Sequence, residues 1–191
     1  HPCLVVCPPG LEDLVVDELV AFGARPERTG RGSVSVGLTT RRLYAANLFL
    51  RCATRVLVRI DRFTARSFAD LERHITAIDW SPWLPSGAVP RFRVTTRHSR
   101  LWHDGAVGER FAAAFPARGD RDEHRVDPDP GVEVAGDDGG TGPLVVVRGL
   151  DDRFTVSVDA SGAPLHERGW RQATAKAPLR ESVAAGLLAS A

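Results

Sequence analysis

Cysteine and histidine, which most often bind metals or form covalent links, are scarce in this sequence. Its 191 residues include only Cys3, Cys7 and Cys52, with no C-x-x-C spacing. An odd and sparse set of this kind argues against a disulfide framework or a zinc site and fits the reducing cytoplasm. The six histidines contain no H-x-x-x-H pair, so no metal site is expected.

Long apolar runs are also missing. No run approaches the roughly 18 apolar residues that a membrane-spanning helix needs. The first residues carry no cationic stretch of the kind found in signal peptides. The 43% apolar content is still sufficient for a buried core. These features predict a cytoplasmic protein without a membrane partner.

Motifs for catalysis are absent as well. The segment G-R-G-S-V-S at residues 30–35 comes close to the dinucleotide fingerprint G-x-G-x-x-G, but no helix is predicted directly after it and its last position is Ser35. A hairpin turn explains the segment better. No Ser-His-Asp or Cys-His arrangement has a supporting context. We therefore predict that this chain contains no catalytic residue and holds no cofactor or metal by itself.

Charge is nearly balanced in total but segregated along the chain. The formal net charge is +1, yet residues 41–66 carry seven arginines and one acid, and residues 91–110 carry five arginines and two acids. Residues 120–138 carry eight acids and two arginines. Segregated charge suits a nucleic-acid surface, because contacts to phosphate are local. Composition alone favours the simpler alternative that these arginines lie on solvated surfaces.

Hydrophobic periodicity predicts the order β-α-β-β-α-β over residues 4–63. The predicted elements are a strand at 4–6, a helix at 11–22, a hairpin arm at 29–36, a helix from Thr39 or Thr40 to Leu50, and a strand at 53–63. In a ferredoxin-like unit, this order places two helices on one face of an antiparallel sheet.

The second half is predicted to alternate helices and strands around one long loop. The predicted elements are a helix capped by Ser67, a strand at Arg91–Thr95, a helix at about 105–115, and strands at 144–148, 153–158 and 165–171. Residues 116–143 are rich in Pro, Gly and Asp, which predicts a mobile acidic loop with a short strand near 132–134. The fold class of the whole chain is therefore predicted to be α+β.

Arginines and an aromatic side chain follow one another in the middle of the chain. Arg91 and Arg93 project from the same face of the predicted strand, and Arg97, Arg100 and Trp102 follow in a polar loop. Arginines can grip phosphate, and aromatic rings can stack on unpaired bases. The alternative is that Trp102 packs in the core and the arginines form surface ion pairs of little energy.

Several motifs, in order and spacing, resemble one known family. They are P-P-G-L-E at residues 8–12, L-Y-A-A-N-L at 43–48, R-C-A-T-R-V at 51–56, L-H-E-R-G-W-R at 165–171 and K-A-P-L-R-E at 176–181. Together they resemble the front part of THUMP-domain RNA guanine-N2 methyltransferases of the bacterial large-subunit ribosomal RNA type. The resemblance covers nearly the whole chain.

The resemblance implies a domain order. Residues 1–64 would form an N-terminal ferredoxin-like domain, and residues 65–172 a THUMP α/β domain. Residues 173–191 would form a linker and the first helix that leads to a Rossmann-like methyltransferase domain. That catalytic domain is expected to be absent from this chain, because neither a D-x-x-x-G-x-G loop nor an N-P-P-Y or D-P-P-Y tetrapeptide occurs in the sequence.

The resemblance also implies a function. The parent protein would be an enzyme that uses S-adenosyl-L-methionine to methylate N2 of guanine in ribosomal RNA, and this chain would bind structured RNA rather than DNA. The implied RNA-binding residues are Arg91, Arg93, Arg97, Arg100, Arg168 and Arg171. For Arg51 and Arg55, which belong to the family pattern, a structural ion-pair role is at least as well supported.

Other functions stay open on the sequence. The chain could be the front half of a transfer RNA guanine methyltransferase, since such enzymes share this architecture. It could also be a stand-alone, non-catalytic RNA-binding or scaffold protein. An independent small-molecule enzyme is disfavoured, because no catalytic constellation is present.

Overall fold

The computed structural model describes residues 1–28, 30–115, 142–168 and 179–190. These residues form seven strands and five helices. In chain order the elements are β1 (Pro2–Val6), α1 (Glu12–Ala21), β2 (Pro26–Arg28), β3 (Ser33–Gly37), α2 (Thr40–Phe49), β4 (Arg55–Thr64), α3 (Phe68–Ala77), β5 (Arg91–Arg97), α4 (Asp104–Ala113), β6 (Leu144–Leu150), β7 (Arg153–Asp159) and α5 (Glu181–Ala189).

The chain divides into two compact units. The first contains His1–Arg59 and Asp159–Ala191, and the second contains Ile60–Val158. The first unit is thus discontinuous in sequence, whereas the domains implied by the family resemblance are consecutive. The implied limits at residues 64 and 172 stay predictions, because compactness does not define membership of a domain family.

The first unit contains the predicted β-α-β-β-α-β order, which the structure confirms. Its strands lie in the order β2-β3-β1-β4, and all neighbouring pairs are antiparallel. The predicted cap of α2 is also confirmed, since the Thr39 side chain accepts a hydrogen bond from the Arg42 N–H. A side-chain oxygen in this position satisfies one of the donors that a helix start leaves unpaired.

A buried carboxylate explains the P-P-G-L-E motif. Glu12 is only 2% exposed, and its two carboxylate oxygens accept hydrogen bonds from the N–H groups of Gly10, at 2.8 Å, and Gly32, at 2.6 Å. Gly32 has a φ of +81°, a backbone conformation that favours glycine. The G-R-G segment is therefore a turn held by Glu12, as the hairpin prediction requires.

The second unit packs two helices on one face of its sheet. The strand order is β4-β7-β6-β5, with β5 parallel to β6 and β6 antiparallel to β7. Parallel neighbours need a long crossover connection, and α4 lies within the crossover from β5 to β6. The core between helices and strands contains Leu71 and Ile75 of α3, Val107 and Phe111 of α4, and Phe92, Val94, Val147, Phe154 and Val156 of the sheet.

One predicted strand is wrong where the structure can test it. Leu165–Arg168 form turns and bends rather than the start of a strand over residues 165–171. Leu165 donates one backbone hydrogen bond to Thr54, but Pro164 has no N–H, and the Glu167 N–H turns back to Pro164. Residues 169–171, and residues 116–141 of the predicted acidic loop, lie outside the described residues.

Gly149 of β6 lies where a larger residue cannot fit. A Cβ atom at this position would lie 2.9 Å from Cε1 of Phe154 and 3.1 Å from Cγ2 of Thr96. We expect Gly149→Ala to lower the free energy of unfolding by about 1–3 kcal/mol, because the core must shift to accept the methyl group. Urea unfolding measures this change. Gly37→Ala is the matched control, since its Cβ would meet no atom within 4 Å; equal losses would contradict the packing argument.

The three cysteines are buried and free. Burial is the main cause that raises the pKa of Cys3 to about 11, of Cys7 to about 12 and of Cys52 to about 11; the Glu12 and Glu18 carboxylates add to the effect at Cys7 and Cys52. An unfolded chain ionises these thiols near their ordinary value of 9.0, whereas the folded chain keeps them protonated.

We therefore expect stability to fall as the pH rises from about 9 toward the raised values, because the thiolates form more readily in the unfolded state. Below pH 9 the thiols contribute no pH dependence. Urea unfolding at pH 8 and pH 10 measures the effect, with a triple Cys→Ser variant as the control for other titrating groups. A loss of stability that is identical in the variant would show that the thiols are not its source.

Candidate nucleic-acid interface

The arginines of β5 lie on the face opposite the core. Phe92 and Val94 are buried under the helices, so Arg91, Arg93 and Arg97 project from the other side of the strand. Arg91 and Arg93 are half-buried and Arg97 is exposed. The Arg91 Nε donates to the carbonyl of Gly142, at 3.3 Å. The predicted alternation is confirmed. Of these three arginines only Arg97, at the last position of β5, is exposed.

Arg100 lies in a loop that one aspartate holds in place. One Asp152 carboxylate oxygen accepts the Arg100 N–H at 2.7 Å, and its other oxygen lies 3.4 Å from Nε of Arg66. The Asp152 N–H also donates to Oγ of Ser99. His98 has a φ of +52°, so the chain bends sharply at the end of β5. The Arg100 side chain stays exposed while its backbone is fixed.

Trp102 does not lie in the core. Its side chain is 72% exposed, which overturns the alternative that it packs inside. Its backbone carbonyl accepts a hydrogen bond from Oγ1 of Thr96, at 2.8 Å, so the position of the residue is fixed although its ring is open. Leu101, the preceding residue, is the one that packs inward. An exposed tryptophan beside Arg100 is suited to stacking on a base.

The start of α4 does not offer a ready phosphate site. The Ala106 N–H already donates to Nδ1 of His103, at 3.1 Å. Asp104 adds a carboxylate in the first turn, and this carboxylate accepts the Thr96 N–H at 2.7 Å. The positive end of the helix dipole is therefore occupied by protein groups.

Arg168 is engaged within the first unit. Its Nη2 donates to the carbonyls of Asn47, at 2.7 Å, and Leu50, at 2.9 Å, at the C-terminal end of α2. A guanidinium at this position donates hydrogen bonds to the last carbonyls of the helix. Its positive charge is also favourable near the negative end of the helix dipole. Partial burial lowers the pKa of Arg168, while the Glu18 carboxylate opposes that effect. Arg171, the other predicted residue of this motif, lies outside the described residues.

Arg51 and Arg55 both form ion pairs, as the structural interpretation of the family pattern predicts. Nε of Arg51 lies 3.0 Å from Oε1 of Glu18, and the other oxygen of that carboxylate accepts the Arg51 and Cys52 N–H groups. Arg55 pairs with Asp159, whose side chain is fully buried. These arginines hold the end of α2 and the start of β4.

Asn47 and Ser161 complete a polar network around α2. Oγ of Ser161 donates to Oδ1 of Asn47 at 2.8 Å, and the Val56 N–H donates to the same Ser161 hydroxyl. The Ser161 N–H donates to Asp159, the partner of Arg55. The sequence placed Asn47 in a motif, but only the fold could identify Ser161 and Asp159 as its neighbours.

Two arginines on the sheet were missed by sequence reasoning. Arg148 of β6 and Arg153 of β7 are exposed and share the face of Arg97. Their strands were predicted, but the pairing of β5 with β6 was not, because register between distant strands leaves no local signal.

Within the described residues, no group of three His, Cys, Asp or Glu side chains is placed to hold a metal ion. No helix of this part of the chain has the length and apolar character needed to cross a bilayer.

The N-terminal segment of the first unit matches a known class of domain. Residues 3–57 match the family model described as the RlmL ferredoxin-like domain. This range contains β1 to β3, both helices and the first part of β4. Family model and structure therefore agree on a ferredoxin-like arrangement for this part of the chain.

Particular relatives extend the similarity to the whole chain. The chain is 33% identical over 188 residues to the ribosomal RNA large subunit methyltransferase K/L of a Marinomonas species, covering 96% of this chain and 24% of that protein. It is 35% identical over 191 residues to the enzyme of the same name from Marinobacter nauticus, covering 98% of this chain and 25% of that protein. The chain thus spans about a quarter of the length of these curated relatives.

A solved structure shares the fold over both units. It is described as a predicted N6-adenine-specific DNA methylase from Listeria monocytogenes, with a TM-score of 0.76 and 26% identity. The match covers 98% of this chain and 47% of that protein. This chain is thus similar to about half of that longer protein.

The contacts of Arg168 predict a structural role that can be separated from RNA binding. We expect Arg168→Ala to lower the free energy of unfolding by about 1–3 kcal/mol, since a charged donor to two carbonyls is lost. Arg73→Ala is the control, because its ion pair with Asp70 is exposed and worth about 0–1 kcal/mol. Thermal unfolding of both variants measures the difference. If the two variants had the same free energy of unfolding, Arg168 would not cap the end of α2.

Proposed function

We propose that this chain is the RNA-binding portion of an S-adenosyl-L-methionine-dependent methyltransferase that modifies N2 of guanine in large-subunit ribosomal RNA. The proposal includes a THUMP domain within residues 65–172 and a catalytic domain in the parent protein that supplies the cofactor site. It rests above all on the similarity of the whole chain to ribosomal RNA large subunit methyltransferases. Structured ribosomal RNA is therefore the proposed partner.

The described surface is consistent with a binding role. Exposed Arg97 and Arg100 lie at the end of β5, and exposed Trp102 follows two residues later. Arginine can contact phosphate in a bidentate way, while tryptophan can stack on an unpaired base. The Asp152 and Thr96 hydrogen bonds fix the backbone of this loop, so the side chains are presented without ordering the loop upon binding.

Two partners compete with this proposal, one suggested by the family resemblance and one by the Listeria structure. Transfer RNA is the partner if the chain belongs to the related enzymes that share its front architecture. Double-stranded DNA is the partner if the description of the Listeria structure as a DNA methylase reflects its substrate. A-form RNA and B-form DNA differ in groove shape and in the 2′-hydroxyl, so a binding assay can separate them.

We expect this chain to bind fragments of large-subunit ribosomal RNA more tightly than transfer RNA or duplex DNA of equal length. Binding should weaken steeply with salt, because each phosphate contact releases counterions. Fluorescence anisotropy across a salt series measures both properties. Stronger binding to transfer RNA or DNA would replace the proposed substrate, and no binding to any nucleic acid at low salt would favour the scaffold alternative.

Arg100→Ala tests the loop itself. We expect the slope of log affinity against log salt to decrease by about 0.7–0.9 units, the share of one phosphate contact. Folding should be unaffected, because the Arg100 backbone N–H still donates to Asp152. The control Arg73→Ala removes one exposed charge far from the loop in sequence. An unchanged slope in Arg100→Ala would exclude Arg100 from the interface.

A further inference from the structure

The register of the second unit places three arginines in two rows across its sheet. In one row, Thr95 of β5 lies opposite Arg148 of β6, which lies opposite Thr155 of β7. In the next row on the same face, Arg97 lies opposite Leu150, which lies opposite Arg153. Neighbouring strands are about 4.8 Å apart, so Arg97 and Arg153 begin about 10 Å from each other. Leu150 lies between them, and Arg148 lies on the same middle strand in the adjacent row.

The end of this face is open, whereas its reverse side is closed. Val94, Val147 and Phe154 of the same strands are buried in the core. We define the arginine patch as the exposed residues of the two rows, namely Thr95, Arg97, Arg148, Leu150 and Arg153. Leu150 is 54% exposed and lies between the outer arginines, so the patch also has an apolar centre.

Positive charge in the arginine patch is not balanced by its own members. Among the described residues, the guanidinium groups of Arg97, Arg148 and Arg153 form no hydrogen bond or ion pair. Two acids lie next to the patch, in the turn between β6 and β7. Asp152 is engaged with the Arg100 N–H and with Arg66, which leaves Asp151 as the acid at the margin.

The arginines also disfavour one another. Arg148 is exposed, but enough protein surrounds its guanidinium for burial to lower its pKa, and the nearby Arg97 lowers it further. Arg97 and Arg148 are diagonal neighbours on adjacent strands, a separation that long side chains can still span, so their like charges repel. A bound phosphate would relieve this repulsion and would accept hydrogen bonds from several guanidinium groups.

We infer that the arginine patch binds the phosphate backbone of one RNA strand, with Arg148 as its central contact. The inference rests on the proposed RNA-binding function and adds residues that neither the sequence motifs nor the family resemblance identified. Thr95 can donate a hydroxyl to a neighbouring phosphate oxygen, and Leu150 can pack against a ribose.

The patch should supply affinity rather than sequence specificity. From β5, β6 and β7, this face receives Arg, Thr, Ser, Val, Leu and Asp side chains but no aromatic ring. Sheets that read single-stranded RNA do so by stacking bases on aromatic side chains, which are missing here. Contacts to phosphate position the RNA, and base recognition must come from elsewhere, such as Trp102.

The test compares two variants of the whole chain that lose three positive charges each. The patch variant carries Arg97→Gln, Arg148→Gln and Arg153→Gln. The control variant carries Arg25→Gln, Arg62→Gln and Arg73→Gln, all at exposed positions outside the patch. Binding is measured against one large-subunit ribosomal RNA fragment across a salt series, with thermal unfolding to establish that both variants fold.

For the patch variant we expect the salt slope to decrease by about two units, since each phosphate contact accounts for about 0.7–0.9. For the control variant we expect a decrease of less than about one unit on the same scale. Changing the sequence of the RNA fragment while keeping its fold should leave the effect of the patch variant unchanged. Arg148→Lys keeps the charge and should retain most of the slope.

The outcomes separate the patch from the proposed function. If the unaltered chain binds RNA and the patch and control variants have equal slopes, the patch is not the phosphate site, while the RNA-binding function stands. If the effect of the patch variant depends on the RNA sequence, the patch reads bases and the affinity-only role is wrong. If the unaltered chain binds no RNA, the proposed function and the patch fail together.

Discussion

Burial of one face of the β5-β6-β7 sheet is the constraint on which the second unit depends. Phe92, Val94 and Val147 must face the helices, because exposing them would forfeit the apolar area that stabilises the core. Since side chains alternate along a strand, this burial also directs Arg97 and Arg148 to the opposite side. A one-residue slip would exchange core and surface, so the arginine patch is a consequence of how the core packs.

Arginines in the first unit serve a different purpose. Arg55 lies against the buried carboxylate of Asp159, and Arg168 donates to the last carbonyls of α2. Each has a specific acceptor within its own unit, whereas Arg97 and Arg148 have none among the described residues. The same residue type therefore stabilises the first unit in some places and, within the part of the chain that the structure describes, lacks a protein acceptor at Arg97 and Arg148 of the second unit. Sequence motifs that contain arginine do not distinguish these roles.

Local sequence signals predicted the elements well but not the contacts between them. Ser67 was expected to cap one helix and either Thr39 or Thr40 another, and the side chains of Ser67 and Thr39 accept the capping hydrogen bonds. The predicted strand from Leu165 is wrong. Pro164 lacks the N–H that a strand needs, and the Glu167 N–H closes a turn to the Pro164 carbonyl. The sequence did not decide whether Trp102 packs in the core or lies on the surface. Trp102 is exposed, and the neighbouring Leu101 packs inward instead. The proximity of Arg97 to Arg148 and Arg153 could not be anticipated, since it depends on the pairing of β5 with β6, which are far apart in the chain.

The sequence by itself determined the order of the described helices and strands from β1 to β7, the alternation of Arg91, Phe92 and Arg93, and the motifs that resemble RNA methyltransferases. These properties arise from neighbouring residues, where periodicity and side-chain chemistry act directly. Only the tertiary structure decided that Glu12 ties two glycine turns together and that Arg97 and Arg148 meet on one open face. Both depend on contacts between residues distant in the chain, and such contacts are set by the packing of the whole core rather than by any local pattern.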